Sequence, residues 1–176
     1  MSVVVIALLH GDSGGRRFAM TLRIHIFCMT AALAMVDGAN AETAAPPIAP
    51  PNALTVVAES QTAIWNAVAV AGRRVFLAGP RWSGSTGPSL SVMSGRGTPV
   101  AYPNALWNDW SRGADPARAF VNINSIHMDG HGGLWVVDTG APDFGGDPLP
   151  GGAKLVRIDL AHDRVDRVIQ LGTDVA

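Results

Sequence analysis

The side chains with chemical potential in this chain are few, and most sit where an apolar run gives way to a turn. Asp138 closes the run 134–138 (LWVVD) and is followed by Thr139-Gly140. A carboxylate placed there faces a channel or rim, which makes Asp138 the candidate catalytic residue and a candidate metal ligand. The same position suits a structural role, accepting backbone N–H groups of its own turn. Asn66 and Asn124 each precede an apolar stretch. Their carboxamides suit a ligand or a hard metal, and suit equally well the tying of one strand to the next. His127, Asp129 and His131 alternate across a glycine-rich turn. A zinc site needs three or four converging ligands, and this spacing across a turn does not enforce convergence. Asp143 and Asp147 offer oxygen ligands in a Gly/Pro loop, without the spacing of a helix-loop-helix calcium site.

A second set is built for binding. Arg81-Trp82 follows an apolar run and a Gly-Pro pair, so a cation and an aromatic face emerge together. That pairing suits an aromatic ligand or an acidic group, or else Trp82 covers a sheet edge while Arg81 is solvated. Tyr102 and Trp107 admit the same two readings. No nucleophile elbow, phosphate-gripping glycine loop or dinucleotide fingerprint is present; the DSGG at residues 12–15 has no strand or helix context.

The background chemistry narrows the field. The chain has 176 residues, 13 Lys+Arg against 14 Asp+Glu, and a formal net charge of −1. A nucleic-acid partner calls for a concentrated basic excess, which the isolated pair Arg16-Arg17 does not supply. Charged residues make up only 15%, while 20 Gly and 12 Pro point to short strands and tight turns.

Residues 21–41 (TLRIHIFCMTAALAMVDGANA) read as an export signal, with Arg23 before an apolar stretch over 24–36 and Ala39-Asn40-Ala41 as a small-x-small cleavage site. The apolar stretch is short of the roughly 20 residues a spanning helix needs, so no stable membrane span is expected. The expected organisation is an upstream extension at 1–19, a signal peptide at 20–41, a Pro/Ala linker at 42–53 and a folded region at 54–176. The product is then secreted, extracellular or periplasmic, and cleavage removes Cys28, the one cysteine.

The elements that must position these side chains are strands. The pattern predicts strands at 54–60 (LTVVAES), 64–70 (IWNAVAV), 74–78 (RVFLA), 90–93, 120–128 (FVNINSIHM), 134–138, 153–159 (AKLVRID) and 164–171 (RVDRVIQL), with irregular or edge structure at 98–108 and long loops at 79–89 and 139–152. The order also repeats. Residues 65–82 and 123–140 share an Asn, alternating apolar positions, a glycine turn and a short strand, matching Asn66 to Asn124, Phe76 to Trp135 and Ala78 to Val137. A repeated four-strand unit of this size fits a propeller blade, and a β-sandwich accommodates the same hairpins.

Across residues 60–171 the sequence resembles the yellow and major royal jelly protein family, bacterial members included. The likeness is carried by Val75-Phe76-Leu77 with Pro80-Arg81-Trp82, Tyr102-Pro103-Asn104 with Trp107-Asn108, residues 123–126, residues 133–140 (GLWVVDTG), Pro150 with Lys154-Leu155-Val156, Asp159-Leu160 and the stretch 165–169. The resemblance implies an all-β fold, part of a six-bladed β-propeller with about two blades present, and a small-molecule site near the central channel. Full family members are about twice this length, and the cysteine pairs of the insect members are missing, so the resemblance implies an N-terminal fragment or a truncated product. Self-association of copies is the alternative way to cover the strand edges of a short form. The activity it implies is binding or isomerising a small, aromatic-type molecule, with Arg81, Trp82, Tyr102, Trp107 and Asn124 as ligand contacts. A lactone hydrolase of the propeller class is the alternative, using a divalent metal such as calcium at Asn124 or Asp138; a non-catalytic secreted protein is the third reading.

Overall fold

The structure, a computed structural model, describes residues 56–172. The upstream extension, the export signal and the linker lie outside those residues. Eight strands are formed among the described residues: β1 (Ala67–Ala71), β2 (Arg74–Ala78), β3 (Leu90–Ser94), β4 (Val100–Ala101), β5 (Ile123–Met128), β6 (Gly133–Asp138), β7 (Lys154–Asp159) and β8 (Arg164–Gln170). They make two four-stranded antiparallel sheets in simple up-and-down order, β1-β2-β3-β4 and β5-β6-β7-β8. The fold of the described region is therefore all-β, with a four-residue helix α1 (Ala105–Asn108) and two short 3₁₀ turns in the connections.

Alternation explains how the sheets stack. In β1, Ala67, Ala69 and Ala71 point one way and Val68 and Val70 the other. The alanine side joins Phe76, Ala78 and Leu90 against the second sheet, which contributes Ile123, Leu134, Val136, Val156 and Ile158. Phe76, Ala78, Leu90, Ile123, Leu134, Val136, Val156 and Ile158 all have no exposed surface. The first strands of the two sheets lie beside each other, β1 against β5. On the far side of the first sheet, Trp65, Val75, Leu77 and Met93 form a second apolar cluster with Ala58 and Ala63.

Two expectations are corrected. Residues 56–60 form no strand; Val57 and Ala58 instead pack over the far face of the first sheet. The stretch 98–108 does contain a short edge strand, β4, but it also turns into α1, where the Asn104 side chain caps the helix by accepting from the Trp107 N–H at 3.1 Å. The predicted repeat is met by the strand registers: Ala67 pairs with Ala78 as Ser125 pairs with Val137, and Ala69 with Phe76 as His127 with Trp135. Asn66 and Asn124 each stand one residue before the matched pair.

Candidate functional site

Strand β6 delivers Asp138 into the interior, because it shares a face with Leu134 and Val136. Lys154 opens β7 directly across the ladder from it, on the same face as Val156 and Ile158. Both side chains are fully buried, and Lys154 Nζ lies 2.7 Å from Asp138 Oδ2. The ammonium also donates to the carbonyls of Pro116 (2.8 Å) and Gly152 (3.0 Å), which uses all three of its N–H groups. The carboxylate accepts from the backbone N–H groups of Val121 (2.8 Å), Asn122 (3.0 Å) and Gly140 (2.9 Å) as well. Four donors fill the four acceptor sites of one carboxylate. Asp138 and Lys154 thus tie two connections, β4–β5 and β6–β7, to the second sheet, and Asp138 presents no surface to a substrate. Gly140 is required beside them: its φ is +67°, and a Cβ there would sit 2.2 Å from the Ala153 nitrogen.

Around this buried pair the loops carry a polar layer. Asn122 accepts the Arg81 backbone N–H at its Oδ1 and donates Nδ2 to the Ala141 carbonyl. Asn108 accepts the Leu90 N–H at 2.9 Å and donates to the carbonyls of Tyr102 and Asn104. Arg81 bridges the two by donating Nη2 to the Asn108 carbonyl. Its Nε is buried and finds no acceptor among the described residues. Desolvation holds the Arg81 pKa below its ordinary value, with Asp109 and Asp138 opposing that shift through space. An open depression of about 500 Å³ has Arg81 in its lining, with Thr86, Pro88, Ala105, Asn108 and Asp109.

The remaining sequence candidates are dispersed. Trp82 stacks edge-on against the exposed Phe144, with centroids 5.7 Å apart. Trp107 packs on Phe120 and lines a separate depression of about 480 Å³ on the other side of α1, with Asn104, Asp115 and Arg118. Tyr102 is buried against Phe76, and its hydroxyl donates to Asp163 at 2.7 Å, between the sheets. Asn124 is exposed beside β1, where its backbone carbonyl accepts Asn66 Nδ2 at 3.2 Å. The matched asparagines of the repeat are thus direct neighbours.

The histidine-bearing turn is a structural device. Asp129 Oδ1 accepts the N–H groups of His131 (2.7 Å) and Gly133 (2.8 Å), and Oδ2 accepts Arg157 Nε at 2.9 Å. These bonds hold the carboxyl well below the usual carboxylate range, the Gly133 N–H contributing most. His127 points to the opposite face of its strand from Ile126 and Met128. Asp143 pairs with Arg112 at the surface, and Asp147 is exposed. No group of three His, Cys, Asp or Glu side chains among the described residues is placed to hold a metal ion.

Sequence reasoning missed Asn108, Asn122 and Lys154. The Lys154 signal was present: period-two counting from Val156 and Ile158 places it in the core. Comparison with protein-family models gives no match to this chain, and comparison with curated proteins gives none either.

Proposed function

We propose that this chain is part of a secreted β-propeller protein similar to the yellow and major royal jelly proteins, exported by its signal at 20–41, and that it binds a small molecule through an anionic group at Arg81. The architectural half of the reading is supported by two four-strand meanders stacked face to face, with their first strands adjacent and their registers matched. No helix among the described residues is long and apolar enough to cross a membrane.

The binding half rests on one observation: Arg81, whose buried Nε has no acceptor among the described residues, also lines an open depression. A buried donor left unpaired costs about 1–3 kcal/mol. A carboxylate or comparable anion in the depression adds a charge-assisted hydrogen bond to the Arg81 guanidinium, and removes that cost where a small shift of the side chain brings Nε to it. The Trp82–Phe144 pair belongs partly to the same turn and offers an aromatic surface for the rest of the ligand. The lactone-hydrolase alternative draws no support from Asp138, whose acceptor sites are filled by Lys154 and three backbone N–H groups.

The test is calorimetric titration of the protein with small aromatic carboxylates and the matching neutral amides. Carboxylates should bind in preference to amides, and Arg81→Gln should weaken carboxylate binding roughly 10- to 100-fold, the worth of one hydrogen bond to a charged group. Equal affinity in the variant and the parent would remove Arg81 from the site.

A further inference from the structure

Before β1 the chain lies over the outward face of the first sheet, where Val57, Ala58 and Ala63 pack with Trp65, Val75, Leu77 and Met93. It is pinned there by polar bonds. Ser60 Oγ accepts the N–H groups of Thr62 (3.1 Å) and Ala63 (2.9 Å), which closes a tight turn. The Thr62 carbonyl accepts the N–H groups of Thr86 (2.8 Å) and Gly87 (3.2 Å), and Ser85 Oγ accepts the Ile64 N–H at 2.9 Å. Residues 60–64 are thus fastened to the β2–β3 connection. A depression of about 240 Å³ draws its lining from both, and includes Glu59, Gln61, Trp65, Pro88, Ser91 and Pro99.

Trp65 is only 6% exposed, yet its Nε1 has no hydrogen-bond partner. The apolar cluster around it makes use of the ring and not of the N–H. A buried indole N–H ordinarily finds an acceptor, because leaving it unpaired is costly. The other polar groups of the lining are acceptors or neutral. Glu59 supplies the one carboxylate, Gln61 an amide and Ser91 a hydroxyl, and no Lys, Arg or His among the described residues lines the depression. An anion would meet Glu59 with no cation to balance it. An ammonium ion has no lone pair for the indole, and a hydrocarbon leaves that donor unpaired. The ligand that suits the lining accepts from an N–H, donates to a carboxylate and turns C–H groups to the rings of Trp65, Pro88 and Pro99. A polyhydroxylated ring does all three. The volume is below the roughly 300 Å³ at which sites for drug-sized ligands begin, which limits the occupant to one ring.

We infer that this depression is a binding site for a single neutral sugar ring, a hexopyranose or its simple glycoside. One hydroxyl oxygen accepts from Trp65 Nε1 and a second hydroxyl donates to Glu59. The site shares only Pro88 with the depression that Arg81 lines, so it does not rest on anion binding there.

The test is titration of the full chain with methyl α-D-glucopyranoside and methyl β-D-galactopyranoside, followed by saturation-transfer NMR. Saturable binding of at least one glycoside is expected. Trp65→Phe keeps an aromatic ring and removes the N–H, and should weaken that binding roughly 3- to 10-fold, the worth of one neutral hydrogen bond. Because Trp65 is also a core residue, the second variant is Glu59→Gln at an exposed position, which should weaken binding roughly 10-fold with the fold intact. Sodium benzoate, the probe for Arg81, should bind both variants as it binds the parent. No saturable binding of either glycoside at tens of millimolar would overturn the inference. Equal glycoside affinity in the parent and both variants would overturn it too, by placing the sugar elsewhere. Glycoside binding without benzoate binding would count against the Arg81 reading alone, and the reverse result against this one alone.

Discussion

Asp138 and Lys154 show how little a residue type says about its use. A carboxylate at a strand end beside a Thr-Gly turn has the look of a catalytic group, yet here it is sealed with an ammonium and three backbone N–H groups. Removing one member of such a pair leaves the other charge buried and uncompensated. Asp138→Asn should therefore lower unfolding free energy in urea by about 3–5 kcal/mol. Combining it with Lys154→Met should restore part of that loss, because no ion is then left in the core. Strictly additive single and double variants would show that the two groups are not coupled.

At the scale of elements, the hairpin β5–β6 is held by its turn. Asp129 closes the turn through His131 and Gly133 and reaches Arg157 on β7, which also pairs with Asp166 on β8. Gly133 is needed for this crossing, since a Cβ would sit 2.5 Å from Arg157 Nε. The Asp129 pKa is depressed on folding, so its stabilisation is complete above the unfolded carboxylate value of about 4 and is lost as pH falls toward the lower folded value. The stability gap between wild type and Asp129→Asn should be constant near neutral pH and shrink in urea titrations below about pH 4. A gap unchanged down to pH 3 would contradict it.

Most of this element layout was legible in the sequence. β-Branched alternation and glycine turns place β2, β3, β6, β7 and β8 within a residue or two, and the Asn66–Asn124 repeat matches the observed registers. What was not legible depends on contacts made at long range. Residues 56–60 carry strand-forming side chains but find no ladder partner, and α1 arises from a local Asn104 cap within a stretch that two prolines made look irregular. The candidate ligand residues were chosen by type, and the fold sends Tyr102 between the sheets, Trp107 beside Phe120 and Arg81 into the loop layer. Which of these meets solvent is settled by packing that no local pattern encodes.

For the molecule as a whole, the two sheets are joined by apolar contact, by the Asn66–Asn124 bond and by a polar clasp around Asp163. Arg74 on β2 pairs with Asp163 at 2.7 Å and donates to the Leu160 carbonyl, while Tyr102 donates to the same carboxylate. Burial, more than the Asp163 bond, pushes the Tyr102 hydroxyl pKa far up. A raised phenol pKa means that its contribution is complete below the unfolded value of about 10 and is lost as pH rises beyond it. Tyr102 is the only tyrosine in the chain, so phenolate absorbance reports it alone. Ionisation should appear only together with unfolding at alkaline pH, and Tyr102→Phe should lose less stability than wild type above about pH 10. A titration midpoint near 10 with the sheets intact would show that the hydroxyl is solvated.

The side chains that separate the sheets change in size along the seam. At β1 the filling is Ala67, Ala69 and Ala71, while farther out it is Phe76, Leu90, Tyr102 and Phe120. The small alanines of β1 let the first sheet come close to β5, whose larger Ile126 and Met128 pack into the same cluster. A substitution that enlarges Ala69, the most buried of the three, would therefore push β1 away from β5 and open the seam at that margin.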